Sequence, residues 1–334
     1  MAFHSFKERV MISHDLQAAK GPLLNLLSTI LMALSAEFMA LSNIGGIPGF
    51  QLLFLLRLTQ FLTVVVFLPC FCPKLVGENM RQNVTLILST VVNAVANTLM
   101  YLSFTHAAPG IAFGIVQGTT PLFTTCIGFI ILNETVTLIP CCGILISVVG
   151  VVLVGIGMGH QGVDSTQKLV VSILLPLAAA LTRAPGMVLS RAVLKDLSGL
   201  TIMLYLSSFG TVVQCILTHS IETPVWTMSA QTAGYVAGLG LSQSLATLAM
   251  LGVLDVEKAV IAVAMGTLVV PITILLDYFF LSKVPGLLKW VGLSLVVLGT
   301  VVLSIYTWWK HRQDEKHKKL LEKLDFLPLL DDEN

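Results

Sequence analysis

Blocks of about 20 apolar residues, separated by connections of a few residues, fill almost the whole of this chain. A helix rises about 1.5 Å per residue, so each block is long enough to cross the hydrocarbon core of a bilayer. The composition agrees: of 334 residues, 55% are apolar and 11% charged, whereas soluble domains carry about 25% charge. Mean hydropathy is +0.89. The net charge of +1 supplies no basic field for nucleic acid. The sequence therefore reads as an all-α integral membrane protein.

Candidate spans fall at residues 21–44, 49–72, 83–104, 109–131, 136–158, 168–190, 199–219, 229–253, 258–280 and 286–309. These are ten transmembrane helices, an even number, so both termini share a side. The Lys/Arg bias chooses it. The termini and the even-to-odd loops hold Lys7, Arg9, Lys20, Lys74, Arg81, Arg191, Lys195, Lys258 and the cluster from Lys310 to Lys323. The opposite loops hold only Lys168, Lys283 and Lys289. Both termini are expected in the cytosol, which leaves the sequons at Asn83 and Asn133 on the unglycosylated side. The N-terminus lacks the short apolar stretch and cleavage site of a signal peptide, so the first helix is expected to remain.

The fourth and fifth spans resemble the ninth and tenth, as repeats would. Pro121 and Pro271 each follow a Gly-Thr step in mid-helix. Glu134 precedes Gly143 by nine residues, and Lys283 precedes Gly292 by nine. Gly150 and Gly299 recur at the same offsets. The organisation expected is a cytosolic segment 1–20, a five-helix repeat 21–158, a loop 159–167, a second repeat 168–309 and a cytosolic tail 310–334. Five helices per half invert the second half, an arrangement in which substrates bind near the midplane between halves.

These features resemble the drug/metabolite transporter superfamily and its EamA-type repeat. The resemblance rests on five plus five spans, Pro121 in the fourth helix, Asn133-Glu134 closing it, and FLLRLTQFL with Arg57 in the second. The first half and the Ala-Pro-Gly after His106 look most like the G-type members of solute carrier family 35. Lys283 departs from the pattern, since the second repeat of that family often has a glutamate there. The resemblance implies a ten-helix solute carrier whose central cavity is lined by the first, third, fourth, sixth, eighth and ninth helices.

Ionisable residues inside spans are costly and mark pairs or functional sites. Glu37 and Arg57 fall at the same depth on consecutive helices and are expected to form an ion pair, although Arg57 could also contact substrate. Asp277 lies near Lys283 and Lys289 at a helix end. Arg183 has no acidic residue of its own depth within a span; it either snorkels to the boundary or binds an anion, to which its planar fork is suited. Asn93, Asn97 and Tyr101 share one face of the third helix. Gln117, Gln243 and Thr247 are further polar candidates. Arg183, Arg57, Asn93, Asn97, Gln117 and Gln243 are thus the expected substrate contacts.

No nucleophile elbow, paired catalytic carboxylates or zinc spacing stands out, so no enzyme activity, metal or cofactor is expected. The cysteines, Cys70, Cys72, Cys126, Cys141, Cys142 and Cys215, read as small apolar fillers. Stripes of small residues such as Gly110, Gly114 and Gly118 suit close helix packing and leave a homodimer open. The basic segment after the last span could attract anionic lipid. Beyond it, Asp325 with Leu329 and Leu330 resembles an acidic dileucine signal for sorting adaptors. The resulting expectation is a secondary transporter of a small organic anion, such as a di- or tricarboxylate, working by alternating access. The rivals are a nucleotide-sugar transporter of an internal membrane and a non-transporting membrane scaffold. Plasma membrane and Golgi, ER or endolysosomal membranes are not distinguished.

Overall fold

The computed structural model describes residues 2–106, 109–132, 137–158, 166–281 and 286–326. The described residues are helical and contain no strand. The helices are α1 (Ala2–Ile44), α2 (Gly49–Phe71), α3 (Met80–His106), α4 (Pro109–Leu132), α5 (Leu138–Met158), α6 (Thr166–Leu194), α7 (Gly199–Ile221), α8 (Ala230–Val256), α9 (Ala259–Met265), α10 (Val269–Leu281) and α11 (Leu287–Phe326). Eight helical stretches are long and apolar enough to cross a membrane, and 115–131 and 138–153 are shorter apolar helices. Helix is what hydrocarbon demands, because it satisfies every backbone group internally. Large apolar side chains on the outer faces, such as Val66, Ile130 and Phe279, are exposed, as a lipid-facing surface requires.

Two helices exceed their expected spans. Helix α1 begins at Ala2 rather than near residue 21, and α11 continues through the basic segment to Phe326. The ninth expected span, 258–280, is instead broken. A 3₁₀ turn at Gly266–Leu268 separates α9 from α10. Pro271 has no N–H for the Thr267 carbonyl and its ring crowds that carbonyl, which loosens the preceding turn. Glu134, Lys283, Leu329 and Leu330, with the loop at 159–165, lie outside the described residues, as does the side chain of Asp325.

Chain order does not set the neighbours. Helix α1 packs on α8, and α3 on α6. Helix α2 packs on α7 and α8 rather than on α1, and α5 on α11. Small residues permit this. Gly150 faces the Gly292 backbone, and Gly143 faces that of Gly299. The loops lock the same pairs. Pro48 at the start of α2 has no side chain to cap the helix, and the Glu222 carboxylate beyond α7 takes its place. It accepts the Phe50 and Gln51 amides at 3.0 and 3.3 Å, where a negative group also meets the positive end of the helix dipole. The buried Gln51 side chain and the Val225 backbone exchange two hydrogen bonds, of 2.7 and 2.8 Å. At the start of α7, the buried Thr201 hydroxyl donates to the Lys74 carbonyl of the α2–α3 loop.

Along the bundle axis, apolar layers enclose a polar one. Leu52, Leu56 and Leu239 form one apolar cluster. Val64, Val188, Leu251 and Leu254 belong to another, on the side where α1 enters and α11 leaves. Arg57 and Gln60 in α2, and Gln243 and Thr247 in α8, fall between them.

Candidate functional site

The polar layer encloses a cavity of about 120 Å³. Arg57, Asn93, Asn97, Gln117, Arg183 and Gln243, all expected as substrate contacts from the sequence, line it. They come from α2, α3, α4, α6 and α8, so only the folded bundle brings them together. Among the described residues, no aspartate, glutamate or lysine lines the cavity.

Arg57 donates from Nη1 to Gln60 Oε1 at 2.7 Å. Gln60 donates in turn to the Thr247 hydroxyl at 3.0 Å and to the Gln243 carbonyl at 3.3 Å. The guanidinium is thereby tied through one amide to α8. Gly210 of α7 leaves room for the arginine stem: a methyl group there would sit 3.1 Å from Arg57 Cδ. Glu37, its expected ionic partner, is buried in α1. Arg183 is held differently. Among the described residues its hydrogen bond runs from Nη1 to the Met100 sulfur at 3.7 Å, a weak acceptor. The acids at helix ends that the sequence offered as partners, Asp255 and Glu257, do not reach it, and Glu134 is not described.

Asn93 and Asn97 donate to the Ser89 and Asn93 carbonyls of their own helix, at 2.8 and 2.7 Å. Gly186 of α6 makes this possible, since a methyl group there would lie 2.8 Å from the Asn93 amide. Beside it, the Ser89 and Ser190 hydroxyls share a hydrogen bond of 2.9 Å across α3 and α6. The side chain of Tyr101 is outside the described set. The repeat residues Pro121, Gly143, Pro271 and Gly292 are buried in helices and do not line the cavity.

Sequence reasoning missed Asn25, Ser28, Thr29 and Met32, which line the cavity from α1. The signal was present, because these positions are three, four and seven residues from Asn25 and share one helix face. His219 is exposed, and its Nδ1 lies 2.9 Å from the Cys215 carbonyl, away from the cavity.

Residues 170–305 match the EamA-like transporter family. A solved chain described as "Crystal structure of protein" superposes with a TM-score of 0.70 and 16% sequence identity. The match covers 86% of this chain and 98% of that one, and at this identity it speaks for the fold alone. The protein is thus a multi-pass helical membrane protein whose second half is similar to the EamA-like transporter family. Members of that family are transporters, not enzymes, and the match supports the resemblance to the drug/metabolite transporter superfamily.

Proposed function

We propose that the protein is a secondary transporter that moves a small organic anion by alternating access. The observation that carries the reading is Arg183, a guanidinium that faces the cavity; among the described residues no carboxylate lines that cavity, and the hydrogen bond Arg183 makes runs to a thioether. Arg57 faces the same space. Two cations around one cavity repel each other in a medium of low dielectric, and an anion between them removes that cost. The planar fork of each matches a carboxylate. A volume of about 120 Å³ suits a small di- or tricarboxylate better than a nucleotide-linked sugar, since drug-sized sites span about 300–1,000 Å³. Asn93, Asn97, Gln117 and Gln243 complete the site as neutral contacts, with Glu37 balancing Arg57 from α1.

The bundle is read as two inverted five-helix repeats, with ten spans and both termini in the cytosol. The packing supports this. Exchanging each helix for its counterpart turns α1 on α8 into α6 on α3, and leaves α2 on α7 and α5 on α11 as self-pairs. Gln51 and Thr201, each anchoring a helix start to the loop of the other half, stand 150 residues apart, as do Pro121 and Pro271. Leu251 and Leu254 close the cavity on the side of the termini, where rocking of the halves would open it.

Purified protein in liposomes tests the reading. Uptake of a di- or tricarboxylate, lost in Arg183→Ala, is the expected result. Uptake equal in wild type and Arg183→Ala ends the anion assignment, and no uptake of any solute favours the scaffold.

A further inference from the structure

The arginines account for the charge of the substrate, but the amides around them do not fit a bare carboxylate. Asn25 is 1% exposed and lines the cavity from α1, and its Oδ1 accepts no hydrogen bond from any described residue. Gln117, 5% exposed, lines the cavity from α4, and among the described residues neither end of its amide has a partner. A buried amide oxygen without a partner, as at Asn25, is uncommon and calls for an explanation. Guanidinium groups only donate and carboxylates only accept. A plain acid ionised between Arg57 and Arg183 would therefore bring no donor of its own to the amide oxygens.

Only two groups common on small acids could supply that donor, an ammonium and a hydroxyl. Charge disfavours the ammonium, since the Arg183 guanidinium faces the cavity and among the described residues no acid lines it. The hydroxyl remains. It both donates and accepts, so it satisfies an amide in either orientation of its soft terminal torsion.

We propose that the cavity selects hydroxylated organic anions, with Asn25 and Gln117 reading hydroxyl groups on the carbon skeleton while the arginines hold the carboxylates. The proposal rests on the anion reading above and adds the specificity of the same site. Sites that hydrogen-bond a substrate hydroxyl reject the analogue lacking it far more strongly than apolar pockets reject a missing methylene.

The test is binding to the purified full-length protein of succinate, malate and tartrate, one four-carbon diacid carrying zero, one or two hydroxyl groups. Propionate and lactate serve as the monoacid pair. Malate is expected to bind at least about tenfold more tightly than succinate, and tartrate at least as tightly as malate. In Asn25→Leu and in Gln117→Met the malate-to-succinate ratio falls toward one. Gly234→Ala, a position with open space around it, keeps the wild-type ratio. Either amide variant suffices should the other fail to fold. Equal affinity for each hydroxylated acid and its plain counterpart in wild type overturns the inference and leaves the anion reading standing. A preference that survives in both variants removes it from these residues. If none of the five acids binds, the anion reading falls and the inference with it.

Discussion

Gly150 of α5 and Gly292 of α11 meet backbone to backbone: a methyl group on Gly150 would lie 2.6 Å from the Gly292 carbonyl oxygen and 2.8 Å from the Val296 amide nitrogen. The neighbour on each side of this contact is rigid backbone, which cannot turn away as a side chain could. Gly150→Val is expected to destabilise the protein by roughly 1–3 kcal/mol through overpacking, read as a lower midpoint of tryptophan-monitored unfolding in detergent. Gly234→Ala, with nothing nearby, should leave the midpoint unchanged.

Gln60 holds Arg57 at one end and α8 at the other. Gln60→Leu removes the bonds to Arg57, Thr247 and the Gln243 carbonyl and loosens the guanidinium, so affinity for the transported anion should drop about tenfold. Gln60→Glu keeps an acceptor for Arg57 but loses the donor to Thr247, and should fall between the two. Titration of each variant with the same acid checks the order; equal affinities would mean that Arg57 needs no such clamp.

Replacing Arg183 separates charge from shape. Arg183→Lys keeps a cation but loses the planar fork, whereas Arg183→Ala loses both. Loss of a buried charge-assisted contact is expected to reduce initial uptake at low substrate by roughly a hundredfold in the alanine variant, with lysine recovering a part. Normal uptake in both would mean that Arg183 serves the bundle and not the cargo.

Glu222 caps α2 from across the loop, and its removal leaves the Phe50 and Gln51 amides unsatisfied. Glu222→Ala should cost about 1 kcal/mol, seen as a lower unfolding midpoint with binding affinity retained. Glu78 is the contrasting case. It pairs with Lys74 at 2.7 Å on the exposed α2–α3 loop, where exposed pairs contribute little.

Lys74 holds the Glu78 carboxyl below its usual range, first through the hydrogen bond and then through charge, and Glu78 raises Lys74 in the same way. The pair is therefore intact at neutral pH. It is lost only as pH falls through the lowered carboxyl value or rises through the raised ammonium value. The unfolding midpoint of Glu78→Gln should track wild type between pH 6 and 8, roughly the range over which both groups stay charged; a difference there would give this loop a role beyond the surface.

The Asn83 sequon tests orientation. Its amide is engaged within the loop, accepting from the Gly77 amide and donating to the Gly77 carbonyl. With the termini in the cytosol it should carry no glycan, and a glycosidase-sensitive shift in mass that Asn83→Gln removes would reverse the topology.

Much of this was legible in the residues alone. Apolar block lengths marked the helices, because a bilayer admits only segments that satisfy their own backbone. The cavity contacts Arg57, Asn93, Asn97, Gln117, Arg183 and Gln243 stood out because a polar side chain in an apolar helix is costly enough to need a reason. Other features were not local. The break before Pro271 fell within one apolar run, and the cavity-facing role of Asn25 appeared only when α1 packed on α8. Which helices touch was decided by tertiary structure alone: α1 on α8, Gly150 on Gly292, Glu222 on the start of α2. Lipid is as apolar as the side chains it meets, so hydropathy favours no helix neighbour over another. Close fit between small residues and the pairing of buried polar groups make that choice, and both exist only once the chain has folded.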